Sequence, residues 1–221
     1  MSHGLLDSEL TASGHRQAAF VPSPLAAATR QAATGQDADV VDLERRRVTR
    51  ALAGDGAAFA ALVRPHLPLM FRVASRTCRS PELAEDAVQE ALAAAAKALH
   101  RYEPGTSLKA WLAAITSQRA WTLLRSELRR KQREVIADEP QRSATPEQHL
   151  RARQASDRVL EALAGLPEKR RNAATLRLDA GLSYQEIAEA LDTSAASARV
   201  LVSLALKALR ADLGDLLEGG I

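Results

Sequence analysis

Between Leu182 and Leu209 the chain reads LSYQEIAEALDTSAASARVLVSLALKAL, and this stretch limits the possible folds more sharply than any other. Ser183 can cap a short helix whose buried side is Ile187, Ala188 and Leu191, and the polar break Asp192-Thr193-Ser194 opens a second, longer helix. A small residue at Ala188 lets two helices cross closely. Apolar residues then recur at Ala198, Leu201, Val202, Ala205 and Leu209, the one-sided spacing of a helix packed on a partner. Ser194 at the turn and Ser197, Arg199, Ser203 and Lys207 on the opposite face stay polar. The pattern is that of a helix-turn-helix, whose second helix, in a DNA reader, presents its N-terminal residues to base edges in the major groove. An ordinary helical hairpin has the same apolar spacing, so the rest of the chain must decide.

The residues around this stretch favour helix throughout. The hydrophobic share of 46% is dominated by Ala and Leu, and only 3% of the residues are aromatic, which disfavours sheet. A length of 221 residues suits two small domains. The net charge of +3 is modest, so the placement of charge, rather than its sum, must argue for a polyanionic partner. Cys78 is the lone cysteine and the five histidines are scattered, which leaves no intrachain disulfide and no spacing suited to zinc. No apolar run reaches the roughly 18 residues of a spanning helix, and the N-terminus lacks a signal-peptide pattern, so a cytoplasmic protein without membrane insertion is expected. No phosphate loop, Gly-x-Ser-x-Gly or other catalytic signature is present. Neither an enzyme, a cofactor nor a small-molecule substrate is therefore expected.

Residues 1–39 mix Ser, Thr, Gly, Pro, Gln and Ala without sustained period and read as a mobile tail. An amphipathic piece spans Val40 to Leu52, closed by Gly54-Asp55-Gly56; another helix follows, and Pro65 and Pro68 predict a break before a helix near Leu69 to Thr77. Ser80-Pro81 is a helix start, with Ser at the cap and Pro at the first position. From Glu82 to His100 the apolar set Leu83, Ala87, Val88, Ala91, Leu92, Ala95 and Leu99 shares one face, while Asp86, Gln89 and Glu90 lie on the other. The loop Tyr102 to Ser107 leads into a helix with Leu108, Trp111, Leu112 and Ile115 as its stripe. Its far end is basic, with Arg119, Arg125, Arg129, Arg130, Lys131 and Arg133. Trp111 and Trp121 interleaved with arginine suit a single nucleic-acid strand, whose bases stack and whose phosphates pair. The segment 134–147 loses its period, gains Pro140 and Pro146, and reads as a linker; helices are expected from about Pro146 to Ala164 and after Leu166-Pro167-Glu168, with Gly214 to Ile221 fraying.

Four stretches, in this order and with a linker between the two halves, resemble the extracytoplasmic-function (ECF) group of bacterial sigma factors. They are AEDAVQEAL at Ala84 to Leu92, LKAWLAAI at Leu108 to Ile115 with Arg125 following, LPEKRR at Leu166 to Arg171, and GLSYQEIAEAL at Gly181 to Leu191. The resemblance implies an all-α chain of two small helical domains, a region 2 module over 40–133 and a region 4 module over 148–213. It implies core RNA polymerase and promoter DNA as partners, and the two-domain plan also admits an anti-sigma factor. By the same resemblance Asp86, Gln89 and Glu90 would meet the polymerase. Tyr102, Lys109, Trp111, Gln118 and Arg119, continuing through Thr122, Arg125, Arg129 and Arg130, would open and hold the minus-ten strand. Ser194, Ser197, Arg199, Ser203 and Lys207 would face the minus-thirty-five duplex.

The chain departs from the family pattern at several of these places. Gln118 and Thr122 stand where Asn and Asp are usual, Leu92 and Ala96 where aromatics often follow the Gln-Glu pair, and Asp192 where the turn usually has Gly. The recognition helix has Ala196, Ser197, Ala198, Val200 and Leu204 in place of a Gly-Thr-Val-x-Ser core and a later Arg. Its reading face is poor in donors. Two readings therefore stand at the level of sequence: a sigma factor that directs initiation, and a sigma-like interaction protein acting as an anti-sigma decoy or regulator. A plain dimeric repressor would need a dimer helix, and none is evident.

Overall fold

The computed structural model describes residues 35–78, 80–135 and 158–218, and all of its regular elements there are helical. α1 (Gly35–Leu52) is followed by α2 (Gly56–Val63), capped by Asp55, whose carboxylate accepts from the Ala58 N–H at 3.0 Å. The two prolines act as expected: a single 3-10 turn at Arg64–His66 separates α2 from α3 (Leu67–Thr77). α4 (Pro81–Ala98) starts at Ser80, whose hydroxyl accepts from the Leu83 N–H at 3.1 Å. A second 3-10 turn, Leu99–Arg101, and the loop carrying Gly105 at φ +97° lead into α5 (Leu108–Val135). The remaining helices are α6 (158–165), α7 (Glu168–Leu178), α8 (Tyr184–Leu191) and α9 (Ala195–Glu218).

Three boundaries differ from the sequence reading. α1 begins at Gly35 rather than Val40, because its first turn has no apolar period in the sequence to announce it. α9 passes through Gly214 to Glu218 instead of fraying at Gly214; one helical glycine costs only about 1 kcal/mol against alanine. α5 runs unbroken to Val135, so the first residues of the expected linker are helical. The rest of the linker and of the N-terminal tail lies outside the described residues.

Among the described residues two large cores, and a small third cluster of Leu166, Ala174 and Ala205, hold the chain together. The first joins α1 to α5, with Met70, Ala87, Val88, Ala91, Leu112 and Ile115 at its centre. The alanines of α4 have no side chain beyond Cβ, so α4 and α5 can lie close together along their length. The second core crosses between the two halves. Leu69 and Val73 of α3 and Ala110, Ala113 and Ala114 of α5 pack with Leu176, Leu182, Ile187 and Leu191 of the C-terminal half, and Ala198 and Val202 of α9 complete it. Each fully buried Leu or Ile contributes roughly 1.5–3 kcal/mol. The halves that the sequence presents as separate modules on a linker are thus packed face to face.

Candidate nucleic-acid interface

The helix-turn-helix is built as its sequence requires. The Ser183 hydroxyl accepts from the Glu186 N–H at 3.2 Å while the Glu186 carboxylate accepts from the Ser183 N–H at 2.8 Å, a complete capping box on α8. Asp192 ends α8 in the left-handed region at φ 51°, the conformation for which glycine is usual there. Ser194 caps α9: its hydroxyl accepts from the Ser197 N–H at 3.1 Å and donates to the Ser197 hydroxyl at 2.9 Å. Arg199 lies over the Tyr184 ring at 5.1 Å, and Arg177 stacks on the same ring at 4.9 Å. Ser203 and Lys207 are exposed one and two turns further on. The reading face of α9 therefore points outward, away from both cores.

Asp86, Gln89 and Glu90 are likewise exposed along α4. The residues assigned to the minus-ten strand are placed differently. Tyr102 is 5% exposed and Trp111 6%, their rings 5.3 Å apart in a tilted pair inside the first core. The Tyr102 hydroxyl is shared between the Glu44 carboxylate and the Thr106 carbonyl; burial, then Glu44, pushes its pKa far above the ordinary value. Trp121 is 2% exposed and faces α7. In this packing the tryptophan rings are core rather than an open stacking surface. The physical reason is area, because an indole at the crossing of helices removes more apolar surface from water than any neighbour could.

Along α5 the polar minus-ten candidates meet the C-terminal half. Lys109 Nζ lies 3.3 Å from the Glu186 carboxylate, and the Ser107 N–H at the start of α5 donates to Glu189 at 3.3 Å. Ser117 donates to Asn172 Oδ1 at 3.3 Å, Gln118 to Glu168 at 3.5 Å, and Trp121 Nε1 to the Thr175 hydroxyl at 3.2 Å. Arg125 donates to the Ala164 carbonyl at 3.3 Å. Arg171 sits over the Trp121 ring at 5.1 Å; burial and the nearby Arg125 guanidinium lower its pKa to about 10, which leaves it cationic at neutral pH. Thr122 and Arg129 are exposed, and Arg130 pairs with Glu127 at 2.9 Å. Arg119 is half-buried, its Nε without a hydrogen-bond partner.

Sequence reasoning missed the C-terminal partners in this contact. Asn172 and Thr175 are buried polar residues, and Glu186 and Glu189 read only as helix surface. The available signal lay in α7, where EKRRNAATLRL places Asn172 and Thr175 next to Ala173, Ala174 and Leu176 on the side that must be buried. Cys78 is buried, and burial pushes its thiol up to about 11, as befits an inert core cysteine. Among the described residues no group of His, Cys, Asp or Glu is arranged to hold a metal ion, and no helix is long and apolar enough to cross a membrane.

Comparison with known proteins agrees with this architecture. Residues 62–133 match the family model of Sigma-70 region 2, and residues 156–209 that of Sigma-70 region 4. The fold and the two matched regions together define a sigma factor. The chain belongs to the ECF group of RNA polymerase sigma factors. It is 34% identical over 175 residues to the ECF RNA polymerase sigma factor ShbA of Streptomyces griseus, covering 74% of this chain and 92% of that protein. It is 33% identical over 170 residues to the RNA polymerase sigma factor CarQ of Myxococcus xanthus, covering 73% and 94%. A solved structure of CnrH in complex with the cytosolic domain of CnrY shares its fold, with a TM-score of 0.52 and 24% identity over 81% of this chain and 99% of that one.

Proposed function

We propose that this chain binds core RNA polymerase in the cytoplasm and directs promoter recognition and strand opening, with the polymerase supplying all the chemistry. On this reading the exposed Asp86, Gln89 and Glu90 of α4 meet the polymerase. Gln118, Thr122, Arg125 and Arg129 follow one another at helical spacing on α5 and, with Lys109 and Arg130, line the path of the minus-ten strand. The second helix of the helix-turn-helix approaches the minus-thirty-five duplex. The observation that carries the reading is the pairing of an outward-facing recognition helix with a polar edge of α5 in one chain matching both sigma regions.

The packed state described above is a resting one on this account. Glu186 and Glu189 stand at Lys109 and at the N-terminus of α5, where the positive end of the helix favours an anion. Two carboxylates of the C-terminal half thereby occupy places suited to DNA phosphates. Strand engagement requires the two halves to part, and polymerase binding supplies the energy by holding them apart.

In vitro transcription with core polymerase and a genomic DNA pool tests the function. Promoter-specific transcripts whose yield falls steeply with salt are expected, since phosphate contacts release counterions. Failure to associate with core polymerase would contradict it.

A further inference from the structure

The outward face of α9 is poor in groups that read bases: the short hydroxyl of Ser203 and the Lys207 ammonium are its exposed side-chain donors between Val200 and Leu209. Between Ala195 and Arg210 the helix has neither carboxylate nor amide, so the pairings that Asn and Gln make with adenine, and Asp and Glu with cytosine, are unavailable. Ser194 is spent on capping α9 and on donating to the Ser197 hydroxyl. Arg199 is held over Tyr184. What the face does present is hydrocarbon: Val200 is 55% exposed and Leu204 38%, one turn apart, with Ala196 one turn earlier. Large apolar side chains on the solvated side of a helix are usually turned inward, yet these two stand between Arg199 and Lys207, with no acidic residue in those turns.

We infer that Val200 and Leu204 read the minus-thirty-five element by packing on the C5-methyl groups of thymine, with Lys207 and Arg210 holding the flanking phosphates. The inference rests on the sigma-factor reading above and names the base chemistry its recognition helix selects. The thymine methyl is the one apolar feature on any base edge in the major groove, and short apolar side chains are its natural partners. The cations beside the patch match the charge of a DNA backbone, whereas a patch for a protein partner has no such requirement. Specificity on this account comes from shape and methyl contact, which explains how a helix so poor in donors can still discriminate.

The test uses holoenzyme and a promoter selected from a genomic pool. Each thymine of the minus-thirty-five element is replaced by deoxyuridine, which removes the methyl and leaves the pairing intact. Wild-type holoenzyme is expected to bind about fourfold more weakly for each contacted methyl lost, the worth of one buried carbon at about 0.8 kcal/mol. Val200→Ser and Leu204→Ser, both at exposed positions, should each lose part of the discrimination between thymine and uracil promoters, and the variant carrying both should bind the two promoters equally. Lys207→Ala should weaken both promoters alike and keep the discrimination between them. Equal binding of the two promoters by wild type, or a selected element without A·T pairs, overturns the inference while leaving the sigma reading intact. Unchanged promoter binding by the variant carrying both serines also overturns it. Absence of any promoter-specific binding by holoenzyme removes the sigma reading itself.

Discussion

Thr175→Val is the perturbation that separates the packed state from the residues that engage DNA. In the packed state the Thr175 hydroxyl accepts the Trp121 indole N–H at 3.2 Å, both groups being buried. Valine keeps the branched shape and the volume of threonine but cannot accept. The N–H is then stranded in the packed state at a cost of about 1–3 kcal/mol, whereas in the parted state it meets water and costs nothing. The equilibrium between the two states therefore shifts by about 5- to 150-fold toward parting. Thr175 belongs to α7 and lies outside the minus-ten residues, so the DNA contacts themselves are untouched. Binding of a labelled minus-ten single strand to the free protein, followed by anisotropy, should tighten by a factor within that range, and Trp fluorescence should move toward that of a solvated indole. Unchanged or weaker strand binding, with an unchanged emission spectrum, would refute the claim that the interface competes with DNA.

Other consequences follow from single residues. Ser183→Ala removes one half of the α8 capping box and should cost about 1 kcal/mol, read as a lower midpoint in urea. Asp192→Gly relieves a left-handed backbone and removes a buried Oδ1 that lacks a partner. Set against about 0.4–1 kcal/mol of added freedom in the unfolded chain, a net gain of about 0.5–1 kcal/mol is expected, or about 1–4 °C in melting temperature. Burial works to raise the Glu186 carboxyl, but its hydrogen bonds to Ser183 and the Lys109 ammonium outweigh that and hold it below its ordinary 4.5. Its contribution is complete above about pH 4.5 and is lost as the pH falls through the lowered value, so acid should loosen the contact with α5. Glu186→Gln should flatten that dependence in a fluorescence titration.

The helices and their caps were legible because their signals are local. Ser80-Pro81, Ser183 with Glu186, and the polar break before α9 each specify a helix end within four residues, and each end is where those residues put it. The exposure of Asp86, Gln89 and Glu90 follows from the same helical period that buries Ala87, Val88 and Ala91. The packing of one half on the other was not legible, because its signals are split between distant parts of the chain. Ala110, Ala113 and Ala114 look like ordinary helix formers until α7 and α8 are laid against them. The burial of Trp111 and Trp121 was not legible for a related reason: an indole among arginines fits a nucleic-acid surface and a helix crossing equally well in one dimension. The poverty of donors on α9 was visible in the sequence, but the outward placement of Val200 and Leu204 gives it a chemical meaning.

The central claim is that this sigma factor rests with its halves packed together and must part them to engage a promoter. Ser117→Cys combined with Asn172→Cys places two thiols where the native side chains already meet at 3.3 Å, and the buried, high-pKa Cys78 should not compete for them. Transcription by core polymerase is then measured with the oxidised double variant and again after reduction. The account predicts that the cross-linked protein yields at most about a tenth of the transcript of its reduced form, and that reductant restores the rest. Equal transcription before and after reduction, with the cross-link shown to be complete, would contradict it.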